Sequence, residues 1–259
     1  MIMRHFWQSL PTLLLGITLG WSYALKADAA PPETTPNQVV TILEQIEAAA
    51  NDQDLATVME FYSPEFTNTD GFDHNSLKEA LTQLWEQYSN LDYRIEVQSW
   101  EAEENGVIVE TLTYINGVQN RSNRDLKLDS VMRSRQHFEN GQIISQEILS
   151  ERNSLTSGSH PPTLTVLLPE KIGTGEPYNF DAIVEEPLGD RLLLGAALEE
   201  GVTAEDFYQP RPLSFELLSA GGLFKLGDPS GQPDKRWVSA VLIRADGLVI
   251  VTRRLSIEN

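Results

Sequence analysis

Two arrangements of side chains have the types and spacing for acid–base chemistry. Asp70 and His74 lie four positions apart around Gly71-Phe72-Asp73. An aspartate that orients an imidazole makes a general base usable near neutral pH. The competing reading is a solvated turn ahead of a helix, and one carboxylate with one histidine at this spacing matches no metal-ligand pattern. Glu110 and Tyr114 fall on one side of a single predicted strand, with Ile108 and Leu112, because strand side chains alternate with period two. A carboxylate buried on that otherwise apolar face has a raised pKa and suits proton transfer or a polar ligand. If Val107, Val109, Thr111, Thr113 and Ile115 make the core face instead, Glu110 is exposed.

Other groups carry weaker chemistry. Arg133 shares a face with Val131 and His137, with Arg135 two residues on; this is an anion site or an outward charged face. Glu185-Glu186 and Glu199-Glu200 offer the oxygen clusters that calcium prefers, but not the spaced aspartates of a dedicated calcium loop. Tyr62, Trp85 and Tyr88 sit at helical spacing, as core or as a ligand cradle. No Gly-x-Ser-x-Gly, His-Glu-x-x-His, phosphate loop or dinucleotide fingerprint occurs. The chain has no cysteine, which removes thiolate chemistry, disulfides and sulfur-bound zinc. No catalytic residue, metal or cofactor is assigned.

The elements that must position these groups follow from patterning. Val39, Leu43, Ile46 and Ala50 form the stripe of an amphipathic helix. A second helix, capped by Asp54, carries Leu55, Val58, Met59 and Tyr62 and stops at Ser63-Pro64. A third starts at Ser76-Leu77-Lys78-Glu79, a capping box, with Leu77, Leu81, Leu84, Trp85 and Tyr88 as its apolar face. Strands are expected at 93–102, 107–115, 125–138 and 142–150, joined by turns at Asn105-Gly106, Asn116-Gly117 and Asn140-Gly141. Helices followed by a long antiparallel sheet indicate an α+β unit with helices on one face. Ser154 to Pro162 reads as an interdomain linker. Beyond it come short strands near 163–168, 178–185, 191–198, 213–218, 223–226, 237–244 and 248–255, the spacing of an all-β sandwich. Thr203 to Asp206 is expected as one helical turn.

Residues 37–152 resemble the nuclear transport factor 2-like superfamily, in particular its SnoaL-like branch. The likeness rests on Ile42, Ile46, Ala48, Ala49, Asp52, Asp54, Leu55, Val58 and Phe61-Tyr62-Ser63-Pro64-x-Phe66. It extends to Leu81, Leu84 and Trp85, and to Gly141-Gln142-Ile143-Ile144-Ser145-Gln146-Glu147. The resemblance implies a cone of curled sheet and helices around a pocket, with Tyr62, Asp70, His74, Trp85, Tyr88, Glu110, Tyr114, His137 and Glu147 as candidates to face it. Tyr62, Asp70, Trp85, Tyr88, Glu110 and Tyr114 are the expected ligand-binding set. Residues 179–189 and 220–225 make the whole chain similar to an exported family of photosynthetic bacteria, which implies periplasm or thylakoid lumen. The second domain looks immunoglobulin-like without the cysteine pair. The expected organisation is a signal peptide at 1–29, a flexible leader at 30–36, the α+β cone at 37–153, a linker at 154–162 and the sandwich at 163–259.

Export is expected from the N-terminus. Arg4 precedes an apolar run from Leu10 to Leu25, about 16 residues against the ~20 that span a bilayer, and Ala27-Asp28-Ala29 fits a signal peptidase site. Without that segment 17 basic and 37 acidic residues remain, a charge of −20 that repels nucleic acid and anionic membranes. The function read from the sequence is an exported, non-catalytic binding or scaffold protein, soluble after cleavage. Its partner is a small molecule or an envelope protein, with a homodimer expected through the first sheet. The alternative is a SnoaL-like isomerase, dehydratase or hydrolase. Intact-mass measurement of protein from the envelope fraction should give a chain beginning at or near Ala30; a membrane-bound species retaining Met1 to Leu25 would contradict this.

Overall fold

The computed structural model describes residues 29–88, 90–121, 124–204, 212–219, 221–227 and 231–259. Residues 1–28 of the expected signal peptide and the second half of the expected turn at 203–206 therefore lie outside the described residues. The leader is docked rather than flexible: Ala30 exchanges two backbone hydrogen bonds with Trp100, at 2.7 and 3.1 Å. Pro32–Thr34 then make a single 3-10 turn, and Thr35 is buried.

Helix α1 (Asn37–Asn51) buries Val39, Ile42, Leu43, Ile46, Ala49 and Ala50, the stripe expected from its periodicity. Its last residue reaches across to the sheet: Asn51 donates to Tyr93 O at 3.0 Å and accepts from Tyr93 N at 2.7 Å. Helix α2 (Leu55–Glu60) is capped by Asp54, whose carboxylate accepts from Thr57 N. The chain then enters a strand that the sequence reading missed, β1 (Tyr62–Asn68). Its ladder skips from Tyr62 to Thr67, and Pro64 falls in the skipped stretch, where no backbone donor is needed. Helix α3 (His74–Gln87) begins two residues before the expected box. Asp73 is the N-cap and Ser76 its reciprocal partner: Asp73 Oδ1 accepts from Ser76 N at 2.8 Å, and Ser76 Oγ accepts from Asp73 N at 2.9 Å.

Four long strands follow, β2 (Asn90–Glu103), β3 (Gly106–Arg121), β4 (Arg124–Glu139) and β5 (Gln142–Gly158); β4 ends within a residue of expectation, whereas β3 and β5 run well past their expected C-terminal ends. Asn140 and Gly141 have φ of 49° and 84° and make the expected tight turn between β4 and β5. Asn116-Gly117 is not a turn. Both residues are paired inside β3, to Asp92 and Leu91 on one side and to Asp129 and Leu128 on the other. Glycine is required at 117 by closeness: a Cβ there would lie 2.4 Å from Leu91 Cδ2.

The second unit contains β6 (Leu164–Leu167), β7 (Lys171–Gly173), β8 (Tyr178–Val184), β9 (Leu194–Gly201), β10 (Glu216–Leu217), β11 (Gly222–Gly227), β12 (Asp234–Arg244) and β13 (Gly247–Glu258). Strands β11, β8 and β6 form one small sheet. The others do not form a separate second sheet. They continue the first, in the order β10-β9-β12-β13-β5-β4-β3-β2. The join corrects the expected linker. Arg152 to Gly158 pair residue for residue with Arg253 to Gly247, so Ser154–Gly158 are strand, and Ser159–Thr163 alone make the connection. From Arg152 to Thr156 strand β5 is paired on both edges, with β4 and with β13, which gives its small polar residues backbone partners on either side.

Coverage of this sheet changes sides along its width. Tyr114, Val131, Arg152, Arg253 and Val238 are successive cross-strand partners and so share one face. At Tyr114 that face is the outside of the first unit. At Val238 it is the core, packed with Tyr178, Phe180, Ala182 and Leu223 of the small sheet. The opposite face carries Val109, Phe138 and Ile143 under α1 in the first unit.

Helix α3 buries no residue fully. Trp85 is half-buried against a cluster of Ala49, Ala50, Val58, Leu91 and Tyr93, whereas Tyr88, at 6% exposure, is inside it. Tyr88→Ala should therefore lower stability by about 3 kcal/mol or more and Trp85→Ala by clearly less. Denaturant titration of both variants checks the order, and a larger loss for Trp85→Ala would contradict the placement.

Candidate functional site

The six residues expected to line one pocket divide among three places. Tyr62, Trp85 and Tyr88 lie on the helix-covered side. Tyr62 meets Phe66 edge-on, with centroids 5.0 Å apart, and burial pushes its phenol up to about 12. Trp85 Nε1 donates to Tyr93 Oη at 2.8 Å. Burial raises the Tyr93 pKa, and the hydrogen bond from Trp85 partly offsets the rise. Tyr88 is a core residue, so the aromatic group is more packing than cradle.

The polar floor of the cone is a set that the sequence reading passed over. Thr111 and Ser134 are wholly buried and share a hydrogen bond of 3.1 Å. Beside them Gln136 and Gln146 face each other across β4 and β5, and Asn68 donates to Gln146 Oε1 at 3.4 Å. Gln136 Oε1 is buried without a partner. All of these groups are neutral. They cannot take or give a proton near neutral pH. The available signal was an amide among small and apolar residues at alternate positions, Met132, Ser134, Gln136 and Phe138.

Glu110 and Tyr114 are on the outer face, because Val109 and Thr111 own the core face. Glu110 is clamped by Arg133 at 2.6 Å and Arg135 at 2.7 Å. Partial burial would raise its pKa, but the two guanidiniums outweigh this and hold the carboxyl below its usual range. These arginines are therefore engaged by a carboxylate of the chain itself. Arg94 stacks 3.9 Å above the Tyr114 ring and also pairs with Glu96, which accepts from Tyr114 Oη at 3.2 Å. His137 lies 3.2 Å from Glu103 and 3.6 Å from Glu139.

Asp70 is the third place, and it is neither half of a dyad with His74 nor a solvated turn residue. His74 is the first residue of α3, and the Asp70 carboxylate turns instead to Arg254 of β13, 184 residues away. Their side chains are 6% and 1% exposed. The loop before α3 is shaped for this contact. Asn68 Oδ1 accepts from Asp70 N at 2.7 Å, and Gly71 takes a φ of 90° that a glycine adopts freely. Around the pair runs a seam between the units. Ala204 N donates to Asp70 O at 3.0 Å, and Lys235 reaches Thr69 Oγ1 at 3.1 Å and Glu147 at 3.6 Å. Trp237 Nε1 donates to Glu151 at 2.9 Å, and Arg254 Nη1 lies 3.7 Å from the same carboxylate. Glu147, a candidate for the cone, thus serves this seam.

The acidic pairs of the second unit are engaged locally. Glu185 accepts from Thr165 Oγ1 at 3.0 Å and Glu186 from Thr163 N at 3.1 Å. Glu199 accepts from Tyr178 Oη and pairs with Arg236 at 3.1 Å.

Comparison with known proteins agrees with this division. The SnoaL-like domain family matches residues 43–146, and a domain of unknown function, DUF8623, matches residues 159–258. No curated protein matches the chain. Among solved structures, Bdellovibrio bacteriovorus Bd1075 is similar at 16% identity, over 43% of this chain and 39% of that chain, with a TM-score of 0.32. An M. tuberculosis LEH-like epoxide hydrolase is similar at 11% identity, over 43% of this chain and 81% of that one, with a TM-score of 0.32. A Catenulispora acidiphila protein with a ketosteroid isomerase-like fold, solved with trimethylamine, is similar at 11% identity, over 41% and 82%, with a TM-score of 0.31. Residues 43–146 are a SnoaL-like domain of the nuclear transport factor 2-like cone fold, followed by a second β domain of the DUF8623 family.

Proposed function

We propose that the protein is an exported, non-catalytic binding or scaffold protein. Its cone takes an uncharged small molecule, and its second domain serves as an immunoglobulin-like adaptor. One observation carries the reading: the buried Asp70 carboxylate is committed to Arg254. A carboxylate so buried and so paired is taken up by the chain itself and is not presented to a ligand. Glu110 is spent in the same way on the outer face, and the floor of Thr111, Ser134, Gln136 and Gln146 supplies hydrogen bonds without a general base. The adaptor reading is supported by the packing of β6, β8 and β11 over β9, β12 and β13 around a shared core. Export rests on the N-terminal pattern of residues 1–29. No helix among the described residues is long and apolar enough to cross a membrane. The outer face of β2 to β4, with its alternating Arg94, Glu96, Glu110, Arg133 and Arg135, is the surface offered to an envelope protein or to a second copy.

The chain from Ala30 to Asn259 should be screened by thermal shift against uncharged small molecules, and each stabilising compound followed by NMR during long incubation with the protein. The expected result is stabilisation without consumption. Conversion of a bound compound to product, lost in Asp70→Asn, would show that the carboxylate acts as a base and would overturn the proposal.

A further inference from the structure

The sheet face that passes from the outside of the first unit to the inside of the second carries two arginines directly opposite one another, Arg152 on β5 and Arg253 on β13. They are the last pair of that ladder. Beyond them the strands part, and β13 takes β7 as its partner from Ser256 onward, while Ser256 N donates to Glu170 O. The fork holds a cavity of about 180 Å³ whose wall includes Arg152, Arg253 and Arg254, the acids Glu151 and Glu170, and Val166.

Like charges placed directly opposite on a sheet destabilise it. Here no carboxylate among the described residues forms an ion pair with either arginine. Arg253 Nη1 donates to the carbonyls of Asn153 at 3.2 Å and Thr252 at 3.0 Å, and Arg152 makes no side-chain hydrogen bond or ion pair among the described residues. Burial, and then the charge of Arg152, hold the Arg253 guanidinium below its ordinary pKa, with Asp129 acting the other way. Carboxylates are not scarce, since the chain has 38 acidic residues against 19 basic ones. Arg254 shows the contrast, because Asp70 and Glu151 answer its charge. Glu151 and Glu170 share the wall, but Glu151 faces Arg254 and no carboxylate of the described residues ion-pairs with Arg152 or Arg253, so these two guanidiniums keep N–H forks of the shape that carboxylates and phosphates accept. The volume corresponds to roughly six waters at ~30 Å³ each, room for a phosphate or a short carboxylate and little more.

We propose that this fork binds one small oxyanion, a phosphate or a short-chain carboxylate, between Arg152 and Arg253. The anion sits where the two units join, so its binding completes the seam and does not depend on whether the cone is occupied.

Titration calorimetry on the chain from Ala30 to Asn259 tests this, with inorganic phosphate and propionate as separate probes at fixed ionic strength. Saturable binding of one molecule of either probe is expected, and which probe binds tells the two sources apart. Arg152→Gln and Arg253→Gln should each weaken it about tenfold or more, while Lys225→Gln, on distant β11, should leave it unchanged. Arg152 is exposed, so Arg152→Gln keeps the fold and decides the matter alone if Arg253→Gln does not. Absence of saturable binding with both probes, binding untouched by Arg152→Gln, or equal weakening by Lys225→Gln would overturn the proposal.

Discussion

The pairing of β5 with β13 is the constraint on which the rest of this structure depends. It makes one ten-stranded sheet out of what would otherwise be two, and a sheet needs an apolar cover on each face that it buries. Helices cover one face of the first unit and a small sheet covers the opposite face of the second. Between them lies a zone where neither cover is complete, and there the side chains turn polar. Ser130 donates to Asn153 at 2.6 Å, and Ser239 and Thr252 share a hydrogen bond of 2.8 Å, along one row of cross-strand partners. Because strand side chains alternate strictly, a register slip of one residue would send Arg254 to the wrong face and bring Leu255 out of its core.

Asp70 and Arg254 are the tightest expression of that constraint. Arg254 is on the helix-side face at the fork, too deep for water to solvate it, and Asp70 is presented to it by a loop that Asn68 and Gly71 shape. A buried pair of this kind is weak evidence of net stabilisation, but removing one partner leaves an uncompensated charge, typically at a cost of ~3–5 kcal/mol. The pair therefore fixes the arrangement of the units more than it adds to stability. It also commits to structure the one carboxylate that is fully buried among the described residues.

Much of the fold was legible in local pattern. The α1 stripe, the Asn140-Gly141 turn and most strands of the second unit follow from spacing alone. The misses share a cause: the deciding partner is far away in sequence. Gly117 has the same local signature as a turn glycine, and only Leu91 packing against it shows that it belongs inside a strand. Ser154-Leu155-Thr156-Ser157 reads as linker until β13 is laid beside it. The site was less legible still. Asp70 and His74 are neighbours in sequence, but the carboxylate is claimed by a residue 184 positions on, which no local spacing encodes. Glu110 was placed on the correct one of two candidate faces only if Val109 was known to be core.

Scanning calorimetry of the chain from Ala30 to Asn259 tests most directly whether the two units are one body. A continuous sheet locked by a buried ion pair should unfold in a single cooperative transition, and Asp70→Asn should lower that transition as a whole. Two separate transitions in the unsubstituted chain, with Asp70→Asn shifting only the one that belongs to the SnoaL-like domain, would contradict the account.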